Sequence, residues 1–88
     1  MITDPDDVYN ELVDVFVERL NVPRTEIRPD AHAFEDLGLD SVDLLSAIAV
    51  LERRYEISIG DDDLPRMLVM REAADLISER IGTKVAGP

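Results

Sequence analysis

Residues 41–55, SVDLLSAIAVLERRY, constrain the fold most, because a helix formed by them is apolar on nearly every side. At about 100° per residue, one stripe, the inner stripe, contains Leu44, Ala47, Ile48, Leu51 and Tyr55. On almost the opposite side, the outer stripe contains Val42, Leu45 and Ala49. Such a helix is normally buried in a large protein or a membrane. A chain of 88 residues has no such interior, and the charges in the segment exclude a membrane span. We therefore expect the inner stripe to form the core and the outer stripe to contact a partner.

The start of this helix suits an anion. Asp40 is a good N-cap, because its carboxylate can accept hydrogen bonds from the free N–H groups of the first turn. Asp43, three residues later, can complete a capping box by accepting from the Asp40 N–H. Both acids lie where the helix dipole favours negative charge. With Gly38 forming a turn before them, the sequence predicts Ser41 at a helix mouth where an anion is stabilised.

A first helix is predicted from a cap at Thr3 or Asp4 to about Asn21, because apolar residues recur between them at steps of three and four. Residues 22–40 then form a long connection, and long loops in small domains are usually functional or held by their own apolar side chains. We expect the anchors to be Ile27, Ala33, Phe34 and Leu37. The single histidine, His32, is expected to lie on the surface or to anchor the loop.

The second half of the chain is predicted to contain a short helical turn and a last helix. Residues 56–59 indicate an extended linker, and residues 61–63 open a turn that Pro65 restricts. A last helix is predicted over residues 70–81, with Gly82 as its C-terminal cap. No side chain just before it can accept its first N–H bonds, so either the preceding turn continues into it or this region is looser. The fold class is all-α: a small four-helix bundle of three main helices plus one short helix, with a long first loop.

Composition narrows the function. The chain has 20 acidic and 9 basic residues and a net charge of −11, which argues against nucleic acid and favours basic partners. A hydrophobic content of 45% excludes disorder. The absence of cysteine excludes disulfides and a thiol nucleophile. No signal peptide or membrane-spanning run is evident, so a cytoplasmic protein is expected. We also expect a monomer.

The residues around the helix mouth, Leu37-Gly38-x-Asp40-Ser41-x-Asp43, resemble the attachment motif of acyl carrier proteins. The likeness in helix order and loop lengths extends over residues 8–81. In that family the serine carries 4'-phosphopantetheine, a flexible arm whose thiol holds acyl groups as thioesters. The resemblance implies that a phosphopantetheinyl transferase installs the arm on Ser41 from coenzyme A. It also implies that the chain is a carrier and not an enzyme.

The resemblance further implies an acyl carrier domain over residues 1–81, a flexible C-terminal tail over residues 82–88, and a protein of the free-standing type. Acyltransferase, ketosynthase or acyl-activating enzymes would be its partners. They would meet a surface made of Asp40, Val42, Asp43, Leu45, Ala49 and Glu52, with Met67 and Met70 adjoining it.

The charge pattern departs from that of the family. Ser46 occupies a position that is often acidic in such carriers, and Arg53 and Arg54 replace part of an acidic helix end. The partners are therefore expected to be specialised, which favours polyketide or related secondary-metabolite biosynthesis over general fatty-acid synthesis. The acyl group, the pathway and an origin in a larger synthase stay open.

Alternatives remain. A peptidyl or aminoacyl carrier shares the fold, but such carriers are generally less acidic than this chain. An unmodified helical interaction domain with an apolar face is also compatible with the pattern. A serine hydrolase is disfavoured, because Gly38-x-Asp40-Ser41 is not the G-x-S-x-G elbow and one histidine supplies no obvious base. An EF-hand calcium loop at residues 61–63 fails, because Arg66 stands where the sixth-position glycine is needed.

Overall fold

The computed structural model describes residues 4–86, and the surroundings of side chains over residues 4–82. It contains four α-helices: α1 (Pro5–Leu20), α2 (Ser41–Tyr55), the short α3 (Leu64–Met67) and α4 (Met70–Ala86). Two single turns of 3₁₀ helix cover Arg24–Glu26 and Asp61–Asp63. No strand forms over residues 4–86, where the one β-bridge pairs His32 with Val69. The predicted all-α bundle of three main helices and one short helix is confirmed.

Helix α1 begins and ends where its sequence indicates. The Asp4 carboxylate accepts a 2.9 Å hydrogen bond from the Asp6 N–H, and Pro5 takes the first helical position. Asn21 ends the helix in the left-handed conformation, with φ at 58°, and its N–H bonds to the Phe16 carbonyl. Of the two predicted caps, Asp4 is the one observed, and Thr3 lies outside the described residues.

The core lies between α1, α2 and α4, with α1 packed most extensively on α4. Its largest fully buried side chains are Phe16, Leu12, Leu51, Met70, Leu76, Ile77, Val8 and Val15. The predicted inner stripe of α2 joins this core, except that Tyr55 is only half-buried. Because one face of α2 is enough to complete the core, the opposite face is left for solvent.

The start of α4 is capped by the main chain of the first loop. The Ala31 carbonyl accepts from the Met70 N–H at 3.1 Å, and the Pro29 carbonyl accepts from the Arg71 N–H at 2.8 Å. The first expected alternative is wrong, because α3 ends at Met67 and does not continue into α4. The second, a looser region, stays a prediction. The sequence did not reveal the main-chain acceptors, because only nearby side chains were considered.

Gly82 does not end the last helix. The prediction of an end near Ile81 with Gly82 as cap is wrong, because α4 continues through Gly82 to Ala86. Gly82 does not have the positive φ of a C-terminal cap, and Lys84 and Ala86 are good helix formers. The boundary between a domain of residues 1–81 and a flexible tail of residues 82–88 stays a prediction. Residues 87 and 88 lie outside the described part of the chain.

Two arginines hold α3 and the second connection, which is the segment of residues 56–63, against α4. Arg80 donates to the Ser58 carbonyl at 2.8 Å and to Asp63 Oδ1 at 2.7 Å. Arg66 Nη2 lies 2.8 Å from Glu79 Oε2. The bonds from these arginines hold the pKa values of the Asp63 and Glu79 carboxyls below their usual range. Both carboxylates therefore stay ionised and keep the segment in place.

The two faces of α2 predict opposite responses to an introduced acid. Leu51 is 0% exposed and Leu45 is 54% exposed. Leu51→Asp buries an unpaired carboxylate and should lower the free energy of unfolding by about 4 kcal/mol or more. The matched variant Leu45→Asp should change it by less than about 0.5 kcal/mol. Urea unfolding followed by circular dichroism measures both, and equal losses would contradict the assignment of the two faces.

Candidate functional site

Ser41 is exposed at the first position of α2, after a turn that the first loop closes. The Leu39 N–H donates to the Ala33 carbonyl at 3.0 Å, which ends the turn just before the helix. Gly38 has φ at 69°, in the left-handed region that favours glycine. The turn thus places the Ser41 hydroxyl on the surface at a helix N-terminus, as the sequence predicted.

The capping box predicted at this helix start is confirmed. Asp40 Oδ1 accepts from the Asp43 N–H at 2.9 Å, and Asp43 Oδ2 accepts from the Asp40 N–H at 3.3 Å. The Asp40 carbonyl also accepts from the Leu44 N–H at 3.0 Å. Because these bonds fix the first turn, Ser41 is held on a rigid element and not on a mobile loop.

The outer stripe of α2 is exposed as predicted. Val42 is 73% exposed and Leu45 is 54% exposed, and Ala49 is exposed beside them along the helix. Large apolar side chains with this much exposure, next to a surface serine, are typical of an interaction surface. Their role in partner binding stays a prediction. The expectation that Met67 and Met70 adjoin this surface is wrong, because both side chains are buried in the core.

Glu52 has a structural bond that the sequence did not reveal. Its Oε2 accepts from the Ile59 N–H at 2.9 Å, and its carbonyl accepts from the Ile57 N–H at 3.2 Å. The side chain therefore fastens the second connection to the end of α2. Bonds that run from a helical acid to a loop seven residues away have no simple sequence pattern, which is why this one was missed.

His32 anchors the first loop, whereas Phe34 does not. His32 Nδ1 accepts from the Phe34 N–H at 3.1 Å and from the Glu35 N–H at 3.2 Å. The interpretation of Phe34 as an apolar anchor is wrong, because its side chain is 37% exposed and its ring meets the His32 ring edge-on at 5.8 Å. The predicted anchor Ala33 is confirmed, because it is 1% exposed and lies in the core. The other two predicted anchors, Ile27 and Leu37, pack against the core.

The C-terminal end of α2 is fastened to α1. The Tyr55 hydroxyl donates to Glu11 Oε1, and Arg54 Nη1 lies 3.8 Å from the same oxygen. Burial, followed by the bond to Glu11, raises the pKa of Tyr55 well above its usual value. Arg53 and Ser46 are exposed on the same helix. The basic charges and the neutral serine noted in the sequence are thus surface features of α2.

Other chemistries find little support around Ser41. His32 Nδ1 already accepts two main-chain bonds, so that atom is not available as a general base. Over residues 4–82 no group of three or more histidine, cysteine or acidic side chains is arranged to hold a metal ion. The helices of the described chain include none that is long and apolar enough to cross a membrane.

Comparison with known proteins decides the family. The family described as the phosphopantetheine attachment site matches residues 10–76, which include α2, α3, most of α1 and the first part of α4. The chain belongs to the acyl carrier protein family. It is similar to the acyl carrier proteins of Nitratidesulfovibrio vulgaris strains DP4 and Hildenborough, with 33% identity over 73 residues in each case. These matches cover 83% of this chain and 96% of each relative.

The cofactor of this acyl carrier protein is 4'-phosphopantetheine, and the geometry around Ser41 fits it. The arm is joined through a phosphodiester, and a helix N-terminus stabilises such an anion. The Asp40 and Asp43 carboxylates are held in the capping box, bonded to main-chain N–H groups. Ser41 is exposed at this helix start, so the geometry is compatible with a phosphodiester there.

The turn before Ser41 predicts a specific cost for a side chain at Gly38. A Cβ at Gly38 would meet no atom within 4 Å, so the cost of Gly38→Ala is conformational. At a φ of 69° it should lower the free energy of unfolding by about 1 kcal/mol. Gly38→Asn should cost less, because asparagine tolerates this region.

Gly60→Ala is the matched control, because Gly60 has φ at −95°. A Cβ there would meet Asp63 Oδ2 at an ordinary 3.9 Å. The Gly60→Ala substitution should change the free energy of unfolding by less than about 0.5 kcal/mol in the same urea titration. If Gly38→Ala and Gly60→Ala were equally stable, the left-handed turn would not constrain this site.

Proposed function

We propose that Ser41 is the residue of this acyl carrier protein that carries 4'-phosphopantetheine. The observation that carries the proposal is an exposed serine at the first position of α2, inside the matched family region. In the transfer, the Ser41 oxygen forms a new bond to phosphorus while the pyrophosphate bond of coenzyme A breaks. The nucleotide half leaves, and the hydroxyl proton passes to a base of the transferase. The installed arm supplies a thiol that holds acyl groups as thioesters.

The chain itself acts in this proposal as a carrier, a substrate of other enzymes. Its described surface offers an exposed serine and an apolar stripe, and no assembled nucleophile and base. We propose that partner enzymes dock on the outer stripe of Val42, Leu45 and Ala49. The carboxylates of Asp40, Asp43 and Glu52 would supply negative charge around this stripe. Each keeps its charge although it also accepts a hydrogen bond within the chain. We further propose that the chain is a monomer in the cytoplasm, where coenzyme A can reach Ser41.

The exposed residues of α2 support specialised partners. Ser46 is neutral where such carriers are often acidic, and Arg53 and Arg54 make the end of the helix basic. A partner suited to an entirely acidic helix would meet repulsion at that end. We therefore propose acyltransferases, ketosynthases or acyl-activating enzymes of polyketide or related secondary-metabolite biosynthesis as partners, rather than those of general fatty-acid synthesis.

The modification predicts a single mass change. A broad-specificity phosphopantetheinyl transferase with coenzyme A should add one arm, at Ser41, because that hydroxyl lies at an exposed helix start. Ser41→Ala should abolish the gain in intact mass and leave the helical circular dichroism spectrum unchanged. Ser46→Ala, at the other exposed serine of α2, is the matched control and should be modified like the wild type. A mass gain in Ser41→Ala would refute the assignment.

The charge pattern predicts the response to salt. The modified wild type should be loaded slowly by a general fatty-acid malonyl transferase, because attraction between opposite charges is interrupted at Ser46 and Arg53. The double variant Ser46→Glu with Arg53→Glu should be loaded faster, and more so at low salt, since screening acts over roughly 8–10 Å. Single-turnover transfer across a salt series measures both. Wild-type loading as fast as that of the general carrier would contradict specialisation.

A further inference from the structure

The single histidine lies in the turn that precedes Ser41, and its ring bonds to the main chain of that turn. We propose that His32 is a positioning residue for the modification of Ser41, acting through a hydrogen-bonded cap that protonation of the imidazole removes. This rests on the proposed function in one respect, since it requires a transferase that modifies Ser41.

The cap consists of two bonds to one ring nitrogen. His32 Nδ1 accepts from the Phe34 N–H at 3.1 Å and from the Glu35 N–H at 3.2 Å. A nitrogen that accepts carries no proton, so these donors assign the neutral tautomer with its proton on Nε2. The ring thus satisfies main-chain donors at the start of the turn, as serine, aspartate or asparagine does at a helix N-terminus.

The capped turn leads directly to Ser41. The His32 carbonyl accepts from the Asp36 N–H at 2.9 Å, which closes the turn. The Ala33 carbonyl accepts from the Leu39 N–H at 3.0 Å, two residues before Ser41. The acceptors of these two bonds are the carbonyls of His32 and Ala33. The position of the His32 ring therefore affects the path by which the chain enters α2.

Protonation converts the acceptor into a donor. An imidazolium has an N–H at both ring nitrogens, so Nδ1 can no longer accept from the two amides. Glu35 Oε2 lies 3.8 Å from Nε2, and Asp36 Oδ2 accepts from the main-chain N–H of His32 at 2.7 Å. The Glu35 carboxylate therefore gives the charged ring an alternative partner.

The segment just before α4 packs on the other side of this turn. Its residue Val69 meets His32 through a β-bridge, which is a main-chain pairing. The charged residues near this bridge are Asp30 of the loop and Arg71 and Glu72 of α4, which line a groove together with Pro29 and Val69. Among the described charged groups, Glu35 lies against the ring itself, with its Oε2 3.8 Å from Nε2. The cap is therefore complete when the ring is neutral and is lost when the ring is protonated.

A competition between two carriers tests the proposal. Wild type and His32→Asn are mixed with one broad-specificity transferase and limiting coenzyme A, and the two modified masses are compared. The asparagine Oδ1 occupies the place of Nδ1 and accepts the same bonds but does not titrate. The ratio of the two products should be near one at about pH 8 and should shift about threefold or more against the wild type at about pH 5.5. Because both compete in one tube, the pH dependence of the transferase cancels.

His32→Gln is the matched control, because its amide lies one bond too far to replace Nδ1. It should be modified more slowly than His32→Asn at every pH. In the unmodified proteins, amide hydrogen exchange at Phe34 and Glu35 should show protection that falls towards low pH in the wild type and stays constant in His32→Asn.

The outcomes are separable. A product ratio that stays constant with pH, together with constant amide protection, would overturn the role of His32 while leaving Ser41 as the modified residue. If the wild type gained no mass at any pH, the proposed function would fail. The amide exchange would then still decide whether the cap exists.

Discussion

The structure depends on a main-chain pairing between the first loop and the start of α4. The carbonyls of Pro29 and Ala31 accept from the first two N–H groups of the helix, at Arg71 and Met70. Met70 is 2% exposed, so an unpaired N–H there would cost about 1–3 kcal/mol. The loop therefore has to cross the bundle to reach α4, and this crossing fixes where its remaining residues can lie.

The crossing determines what the rest of the loop does. Once residues 29–33 are held against α4, the chain has only a short span in which to turn and begin α2. The His32-capped turn and the left-handed Gly38 occupy that span, and the capping box of Asp40 and Asp43 follows at once. Ser41 is therefore presented by a series of short-range bonds attached to the core, although the residue itself is on the surface.

Helix α2 has two apolar surfaces, and this small domain buries only one of them. Its inner stripe completes a core that α1 and α4 largely supply, with Leu51 fully buried. Its outer stripe, including Val42 and Leu45, is not needed for that core and stays exposed. Because a small domain buries only a fraction of its surface, a helix with apolar residues on both sides can be folded and still offer a contact surface.

The parts of the structure that local rules govern were predictable from sequence. The two faces of α2 follow from periodicity, and the capping box follows from acids spaced three residues apart. The caps of α4 were not predictable, because their acceptors are carbonyls about forty residues away and every residue has a carbonyl. The bond from Glu52 to the Ile59 N–H and the exposure of Phe34 also depend on tertiary packing. The prediction that Gly82 ends the last helix was wrong, because glycine permits the end of a helix but does not require it.

Amide hydrogen exchange at Met70 and Arg71 tests most directly whether the loop is fastened to α4. The first N–H groups of a helix ordinarily lack partners within the helix and exchange readily. If the Ala31 and Pro29 carbonyls accept from them, both amides should be protected to the same degree as those in the middle of α4. Exchange at the rate of an uncapped first turn would contradict the pairing, and with it the account of how Ser41 is positioned.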